Sequence, residues 1–378
     1  MKNIIIGPAF PLRGGIANFN EALCKAYGKK QIESSIVSFS LQYPSFLFPG
    51  KTQFDNGYSP EGLKIETIIN SINPFNWIKI ALHIKKQEPD YVIIRYWLPF
   101  MGPCLGTIAR IIKWNTNIKV IAITDNVIPH EKRIGDTLFT RYFVKCCDGF
   151  IAMSQSVLHD LKTFTENTNT RLIPHPIYDI FGEKVNKQQA QQNLNLNTKD
   201  KHILFFGFIR NYKGLDLLLK AMADSRIKAL GIKLIVAGEF YEKADEYEKI
   251  IQENSLQSSV ILHTHYIDSN KVKDYFCAAD MIVQPYKTAT QSGITQIAYH
   301  FERPILVTNT GGLAEIVSHN KVGYVTEINP TEISNSLIDF YSNNRENEFS
   351  ANVKFEKKRF EWSTMVEGID NLLADLYK

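Results

Sequence analysis

Short apolar runs alternate along the chain with segments whose apolar residues recur at helical spacing. Asn3–Ile6, Ser35–Phe39, Tyr91–Arg95, Lys119–Thr124 and Gly149–Met153 have the character of buried strands. Between and after them, Ile16–Tyr27, Asn76–Lys86, Gly106–Trp114, Thr137–Cys147 and Ser156–Thr165 read as helices. At Ile173–Gly182 two prolines interrupt the pattern, and an Asn/Gln-rich stretch follows to Asp200, which predicts an interdomain connection. The alternation then restarts. Strands are predicted at His202–Gly207, Lys233–Ala237, Val260–His263, Asp280–Pro285, Pro304–Thr308 and Tyr324–Thr326. Helices are predicted at Gly214–Ser225, Tyr241–Asn254, Asn270–Ala279, Gly293–Phe301, Leu313–His319, Glu332–Asn343 and Trp362–Leu376.

Strand and helix in strict alternation predict parallel sheets covered by helices on both faces. The fold class is therefore α/β, with two Rossmann-like doubly wound domains facing a central cleft. Ligands of such sheets bind beyond the carboxyl ends of the strands, so the cleft is the expected site. A chain of 378 residues is too long for one typical core. With 44% apolar and 22% charged residues it is not a disordered chain. The five cysteines are scattered, and Cys146 and Cys147 are adjacent, so reduced thiols are expected rather than a disulfide framework or a C-x-x-C metal clamp. The N-terminal apolar run is too short for a signal peptide, and prolines and cations interrupt the most apolar later window, Tyr96–Trp114. A cytoplasmic protein without membrane spans is expected.

Charge is distributed unevenly. Residues 1–175 hold 20 Lys and Arg against 13 Asp and Glu, whereas the remainder holds 23 against 26. The basic first half also clusters aromatics, at Tyr43, Phe46, Phe48 and Phe54 and again at Phe75 and Trp77. Such a half could face an anionic membrane, an anionic substrate or nucleic acid, or be a solvated basic surface.

Five strand-to-helix loops hold candidate chemistry. Gly7–Ile16 places Arg13 beside Gly14 and Gly15, where backbone approaches a ligand closely and helix N–H groups attract anions; it is neither G-x-G-x-x-G nor a P-loop. Phe206–Leu215 carries Gly207, Arg210 and Lys213, two cations beside a helix start and hence a diphosphate clamp. Pro285–Ile294 offers Thr290, Gln291, Ser292 and Gly293 as a second anion nest. Thr308–Glu315 pairs two glycines with Glu315, which could bind a ribose or sugar hydroxyl or simply favour the helix dipole. Thr124–Arg133 presents Asp125, Asn126 and His130. No G-x-S-x-G, H-E-x-x-H, paired C-x-x-C or strand-flanked Asp-x-Asp occurs, so no metal is expected and bound phosphate must be neutralised by Arg, Lys and helix ends.

Taken together, the Gly-Gly loop, GFIRNYKGLDLLLKA, LIVAGEFYE (234–242), the segment 260–286 and TQSGITQIAYHFERPILVTNTGGLAEIV (290–317) resemble a GT-B glycosyltransferase of the retaining family 4 (group 1) type. The C-terminal RFEWSTMVEGIDNLLADLYK is similar to that family's last helix, which crosses back to the N-terminal domain. The resemblance implies an acceptor-binding domain at 1–175, a nucleotide-sugar-binding domain at 176–358 and a crossing helix at 359–378. It implies donor contacts from Gly15, Gly207, Arg210, Lys213, Glu239, Tyr266, Ile267, Thr290, Gln291, Ser292, Gly293, Ile294, Gln296 and Glu315. Asp125, Arg210 and Lys213 would carry the reaction, with Arg13, Gly14, Asn126 and His130 on the acceptor side. Two departures stand out. The family's Glu, seven residues, Glu pattern falls here on Ala289 and Ile297, and its His-Asn is Asp125-Asn126.

The expected reaction moves a hexosyl unit from a nucleoside-diphosphate sugar, uridine before guanosine, to a lipid-linked glycan or glycolipid in bacterial cell-surface polysaccharide synthesis. No cofactor beyond the nucleotide-sugar co-substrate and no nucleic-acid partner is expected; placement is cytoplasmic, peripheral on the inner face of the membrane. The alternatives are a sugar-nucleotide epimerase and a non-catalytic nucleotide-sugar-binding GT-B relative.

Overall fold

Parallel strands need a crossover of a dozen or more residues, and helices fill those crossovers here. A computed structural model describes residues 1–44, 53–54, 59–129, 133–177, 180–289 and 292–378. Two units divide the chain: Met1–Pro174 with Trp362–Lys378, and His175–Glu361.

The first unit runs β1 (Lys2–Ile6), α1 (Gly15–Lys29), β2 (Glu33–Leu41), β3 (Ile65–Asn70), α2 (Pro74–Lys86), β4 (Tyr91–Tyr96), α3 (Gly102–Lys113), β5 (Lys119–Thr124), α4 (Asp136–Val144), β6 (Gly149–Ala152), α5 (Gln155–Lys162) and β7 (Thr170–Leu172). Its seven strands are ordered β3-β2-β1-β4-β5-β6-β7, all neighbours parallel. Every residue of β4 is buried, because helices cover both faces of the sheet. Ile4, Ile6, Val92 and Ile94 pack with Ile80 and Ile84 of α2, Leu105 and Ile108 of α3, Phe143 of α4 and Leu161 of α5. On the opposite face Ile5, Ile93, Ile121 and Ile151 pack with Phe19 and Leu23 of α1.

The second unit runs α6 (Lys187–Asn193), β8 (Lys201–Phe206), α7 (Leu215–Met222), α8 (Ser225–Ala229), β9 (Ile232–Ala237), α9 (Asp245–Glu253), β10 (Val260–His263), α10 (Val272–Ala278), β11 (Met281–Gln284), α11 (Gly293–His300), β12 (Ile305–Thr308), α12 (Leu313–Ile316), β13 (Gly323–Thr326), α13 (Pro330–Ser342) and α14 (Glu346–Glu356). Its six parallel strands are ordered β10-β9-β8-β11-β12-β13. The last helix, α15 (Trp362–Leu376), returns to the first unit, where Met365, Ile369 and Leu372 join the core beside α1. Two Rossmann-like sheets with a returning C-terminal helix constitute the GT-B fold. All five cysteines are buried free thiols.

Both sheets reverse direction beside their first strand, between β1 and β4 and between β8 and β11. The crevice beyond the carboxyl ends at such a reversal is where doubly wound sheets bind ligands. Each unit has its own: the loops after β1 and β4 flank it in the first, and the loops after β8 and β11 flank it in the second.

Several elements depart from the sequence pattern. The stretch expected as a connection contains α6, capped by Asn186, with Ala190 and Gln191 buried. Gln has good helix propensity, and the Gln191 amide donates to the Ala278 carbonyl at 3.2 Å, so a polar composition here conceals a packed helix. α3 begins at Gly102 rather than Gly106, since Pro103 is tolerated in a first turn. Tyr241–Ala244 precedes α9 instead of belonging to it, because Tyr241 N–H pairs with the Ile209 carbonyl at 3.1 Å. β3, β7, α8 and α14 were not among the expected elements.

Candidate active site

In the second unit the loop after β8 turns at Gly207 and Gly214. Gly214 has φ +68° and sits where a Cβ would run into the Pro285 carbonyl; only glycine allows the loops after β8 and β11 to approach this closely. Between the two glycines, Lys213 N–H bonds the Arg210 carbonyl at 2.9 Å. The turn carries the Lys213 side chain inward, leaving it 9% exposed. Its Nζ lies 3.0 Å from where a Cβ on Gly207 would stand, and the same point is 3.6 Å from Ile294 Cδ1. Its ammonium also lies 5.7 Å from the centroid of the buried Tyr286 ring. The first turn of α11 thus adjoins the turn at the end of β8.

Lys213 makes no ion pair among the described residues. Burial, and secondarily the charge of Arg210, pull its pKa down from 10.5 to about 8. Arg210 is exposed, with its guanidinium carbon 4.9 Å from the Tyr241 ring centroid, and likewise has no carboxylate partner among the described residues. Two cations without an anion at a strand-order reversal are arranged for an anionic ligand.

The neighbouring cation is treated differently. Lys287 pairs with Asp216 at 2.9 Å and reaches Asn211 Oδ1 at 3.1 Å, while its N–H bonds the Tyr212 carbonyl at 2.7 Å. Lys287 therefore ties the loop after β11 to the loop after β8, and its charge is neutralised. Ser292 caps α11, accepting from Ile294 N–H at 3.2 Å, and burial drives the phenol of the nearby Tyr286 well up.

The other expected donor residues occupy neighbouring loops. Glu239 follows β9, and its carbonyl accepts from Ile209 N–H at 2.8 Å. Tyr266, exposed, and Ile267, packed on the core, follow β10. Glu315 lies exposed in the short α12. Gln296 is fully buried, and neither polar atom of its amide has a hydrogen-bond partner among the described residues. Ile297, where the family pattern has a Glu, is in the hydrophobic core. Thr290 and Gln291 lie outside the described residues, as do His130, Phe46 and Phe48.

In the first unit, Asp125 follows β5 and is held by Arg95 of β4. Arg95 Nε donates at 2.7 Å to Oδ2, and Nη2 engages Oδ1. The Arg95 side chain is 2% exposed and stacks over Phe19 at 3.8 Å. Burial pushes the Asp125 carboxyl up from its usual value, and the guanidinium opposes that push. Asn126 Oδ1, beside it, is buried without a partner among the described residues. Arg13, Gly14 and Gly15 are exposed at the start of α1.

Arg95 and Lys287 were not among the expected site residues. Arg95 is hidden in the β run YVIIRY, where an arginine between buried positions was itself the available signal. Lys287 stands in a loop whose sequence signal lies in its hydroxyls and amides. Among the described residues no group of three or more His, Cys, Asp or Glu is placed to hold a metal ion. No described helix is long and apolar enough to cross a membrane.

Residues 186–358 match the family Glycosyl transferases group 1. Over 100% of this chain and 99% of its own length, an uncharacterized glycosyltransferase of Methanocaldococcus jannaschii is 23% identical. The structure of Anabaena HepE in complex with UDP superposes with a TM-score of 0.73 at 14% identity, covering 99% of this chain and 100% of that one. The lipopolysaccharide outer core galactosyltransferase WaaB in its apo form gives 0.74 at 12% identity, covering 99% of each chain. Residues 186–358 thus match the glycosyl transferases group 1 family, and the whole chain shares the GT-B fold of these structures.

Proposed function

We propose that this protein is a retaining, metal-independent hexosyltransferase using a nucleoside-diphosphate sugar, uridine before guanosine. The observation that carries the reading is Lys213: a buried ammonium without a carboxylate partner among the described residues, beside Arg210, at the strand-order reversal of the unit that holds the group 1 match. Burying a cation unpaired is costly, and an anionic ligand offsets that cost. The diphosphate lies against Lys213, Arg210 and the first turn of α11. These groups stabilise the charge that grows on the leaving phosphate, as a preorganised oxyanion site does. The UDP bound by the Anabaena relative supports the base assignment.

The acceptor hydroxyl enters on the face the phosphate leaves, and the phosphate takes its proton, so no protein base is required. The N-terminal acceptor domain, 1–175, binds the acceptor through Arg13, Gly14, Asp125, Asn126 and His130. Asp125, with both oxygens engaged by Arg95, uses its remaining lone pairs to accept sugar or acceptor hydroxyls. The acceptor is a lipid-linked glycan or glycolipid of cell-surface polysaccharide synthesis. The lipopolysaccharide activity named for the WaaB relative and the basic first half support this, and the enzyme works as a cytoplasmic, peripheral protein.

Transfer from UDP- and GDP-sugars to a glycolipid acceptor panel, with the product anomer read by NMR, tests the reading. A product that keeps the donor's anomeric configuration supports it; an inverted product contradicts it. A second reading, a nucleotide-sugar binder without turnover, is favoured by Ile297 in the core where the family places a Glu. It predicts nucleotide binding with no product from any acceptor.

A further inference from the structure

Helix α2 is apolar on two sides. Ile80, Ala81 and Ile84 are buried in the core of the first unit. Phe75, Ile78 and Leu82 instead face outward, Phe75 being 84% exposed. At 3.6 residues per turn these three fall along one stripe, and Lys79 and Lys86, both exposed, run beside it. The helix is firmly set: Asn73 caps it, accepting from Phe75 N–H at 3.0 Å and Asn76 N–H at 3.2 Å, and Pro74 occupies its first turn. At its far end Lys85 donates to the Trp114 carbonyl at 2.6 Å and lies 5.8 Å from that indole, which is itself 75% exposed. An ordinary solvated helix face would not present a stripe of this kind.

We propose that the outer face of α2, with Trp114 beside it, docks the protein on an anionic lipid bilayer. Charge complementarity selects this occupant. The thirteen residues of α2 include no Asp or Glu, and the first 175 residues carry 20 basic against 13 acidic groups. Lysine is depleted from protein–protein interfaces, whereas large apolar residues flanked by lysines suit the boundary between headgroups and acyl chains. The inference deepens the proposed glycolipid reading by naming the surface that meets the membrane, and it rests on that reading for its biological sense.

The experiment is flotation of the full chain with phosphatidylcholine vesicles, with and without phosphatidylglycerol. Comparison proteins are Phe75→Ser/Leu82→Ser and Lys79→Glu/Lys86→Glu. All four positions are exposed and far from the nucleotide loops in sequence. UDP-induced thermal stabilisation, measured on each protein, reports folding and the donor site independently. Binding only to vesicles with phosphatidylglycerol, weakened about tenfold or more by either double variant and by salt, is expected. Equal flotation of all three proteins overturns the proposal. So does absence of flotation, even if UDP binds, in which case the donor reading stands alone. A size-exclusion dimer dispersed by Phe75→Ser/Leu82→Ser also overturns it, by assigning the stripe to a second copy of the chain. Flotation without UDP stabilisation leaves the docking surface standing and contradicts the donor reading instead.

Discussion

Lys213 Nζ stands 3.0 Å from the point where a side chain on Gly207 would begin. The glycine at the end of β8 thus makes room for the cation, and its φ of +99° is one that other residues adopt only under strain. Gly207→Ala is predicted to destabilise the protein by about 1–3 kcal/mol and to weaken nucleoside-diphosphate binding. Urea unfolding and calorimetry on the same preparation check both effects. Unchanged affinity would mean that the position of Lys213 is unimportant.

Lys213 itself predicts a trade between stability and function. Its pKa is lower in the folded protein, about 8, than in the unfolded chain at 10.5. Below pH 8 both states are protonated, and the folded state bears the full cost of the buried charge. As pH rises from 8 toward 10.5 the folded state sheds its proton first, so the unliganded protein is stabilised over this window. Lys213→Met removes the cost at neutral pH. It is predicted to raise the melting temperature of the unliganded protein while abolishing stabilisation by UDP. For the wild type, nucleotide affinity should be level below pH 8 and fall above it. Melting curves and titrations between pH 6.5 and 9.5 read both predictions.

Arg95 and Asp125 form a pair in which one partner is almost wholly buried. Removing the carboxylate strands the guanidinium, whose Nη1 already lacks a hydrogen-bond partner among the described residues. Asp125→Ala is therefore predicted to cost about 3–5 kcal/mol of stability. A loss of transfer in that variant alone would not distinguish a sugar contact from unfolding. Asp125→Asn keeps the shape and part of the hydrogen bonding; it should retain the fold and lose transfer. Circular dichroism with a transfer assay separates the two.

Lys287→Met should loosen the link between the loops after β8 and β11. Because the Lys287–Asp216 pair is partly exposed, about 1 kcal/mol of stability is at stake. The larger expected effect is a several-fold rise in the nucleotide dissociation constant, measured by calorimetry, from a less ordered Arg210–Lys213 turn. No change in that constant would contradict the tie.

The parallel sheets and the loops carrying Arg210 and Lys213 were legible because strand, glycine, cation and helix succeed one another within a few residues. Contacts made across the sheet were not. Arg95 and Asp125 are 30 residues apart in the chain and meet only because β4 pairs with β5. Lys287 and Asp216 meet because β8 lies beside β11. Helix α6 escaped notice because its exposed Gln and Asn side chains mask a buried edge of Ala190 and Gln191. The apolar outer face of α2 was equally invisible. Periodicity shows that a helix is amphipathic, but a second apolar stripe reads as more core until the fold leaves it outside.

On the proposed function, the second unit grips a nucleoside diphosphate through Lys213 and Arg210. The most direct measurement is a thermal-shift titration of the wild type, Lys213→Met and Arg210→Ala with UDP, GDP, ADP and NAD. At a hundred times its dissociation constant a ligand adds about 2.7 kcal/mol. For a unit of this size that is a rise of about 5 °C or more. Such a rise is expected with one nucleoside diphosphate, UDP first, lost in Lys213→Met and reduced in Arg210→Ala. A response to none of them, a response to NAD alone, or a rise equal in all three proteins would contradict it.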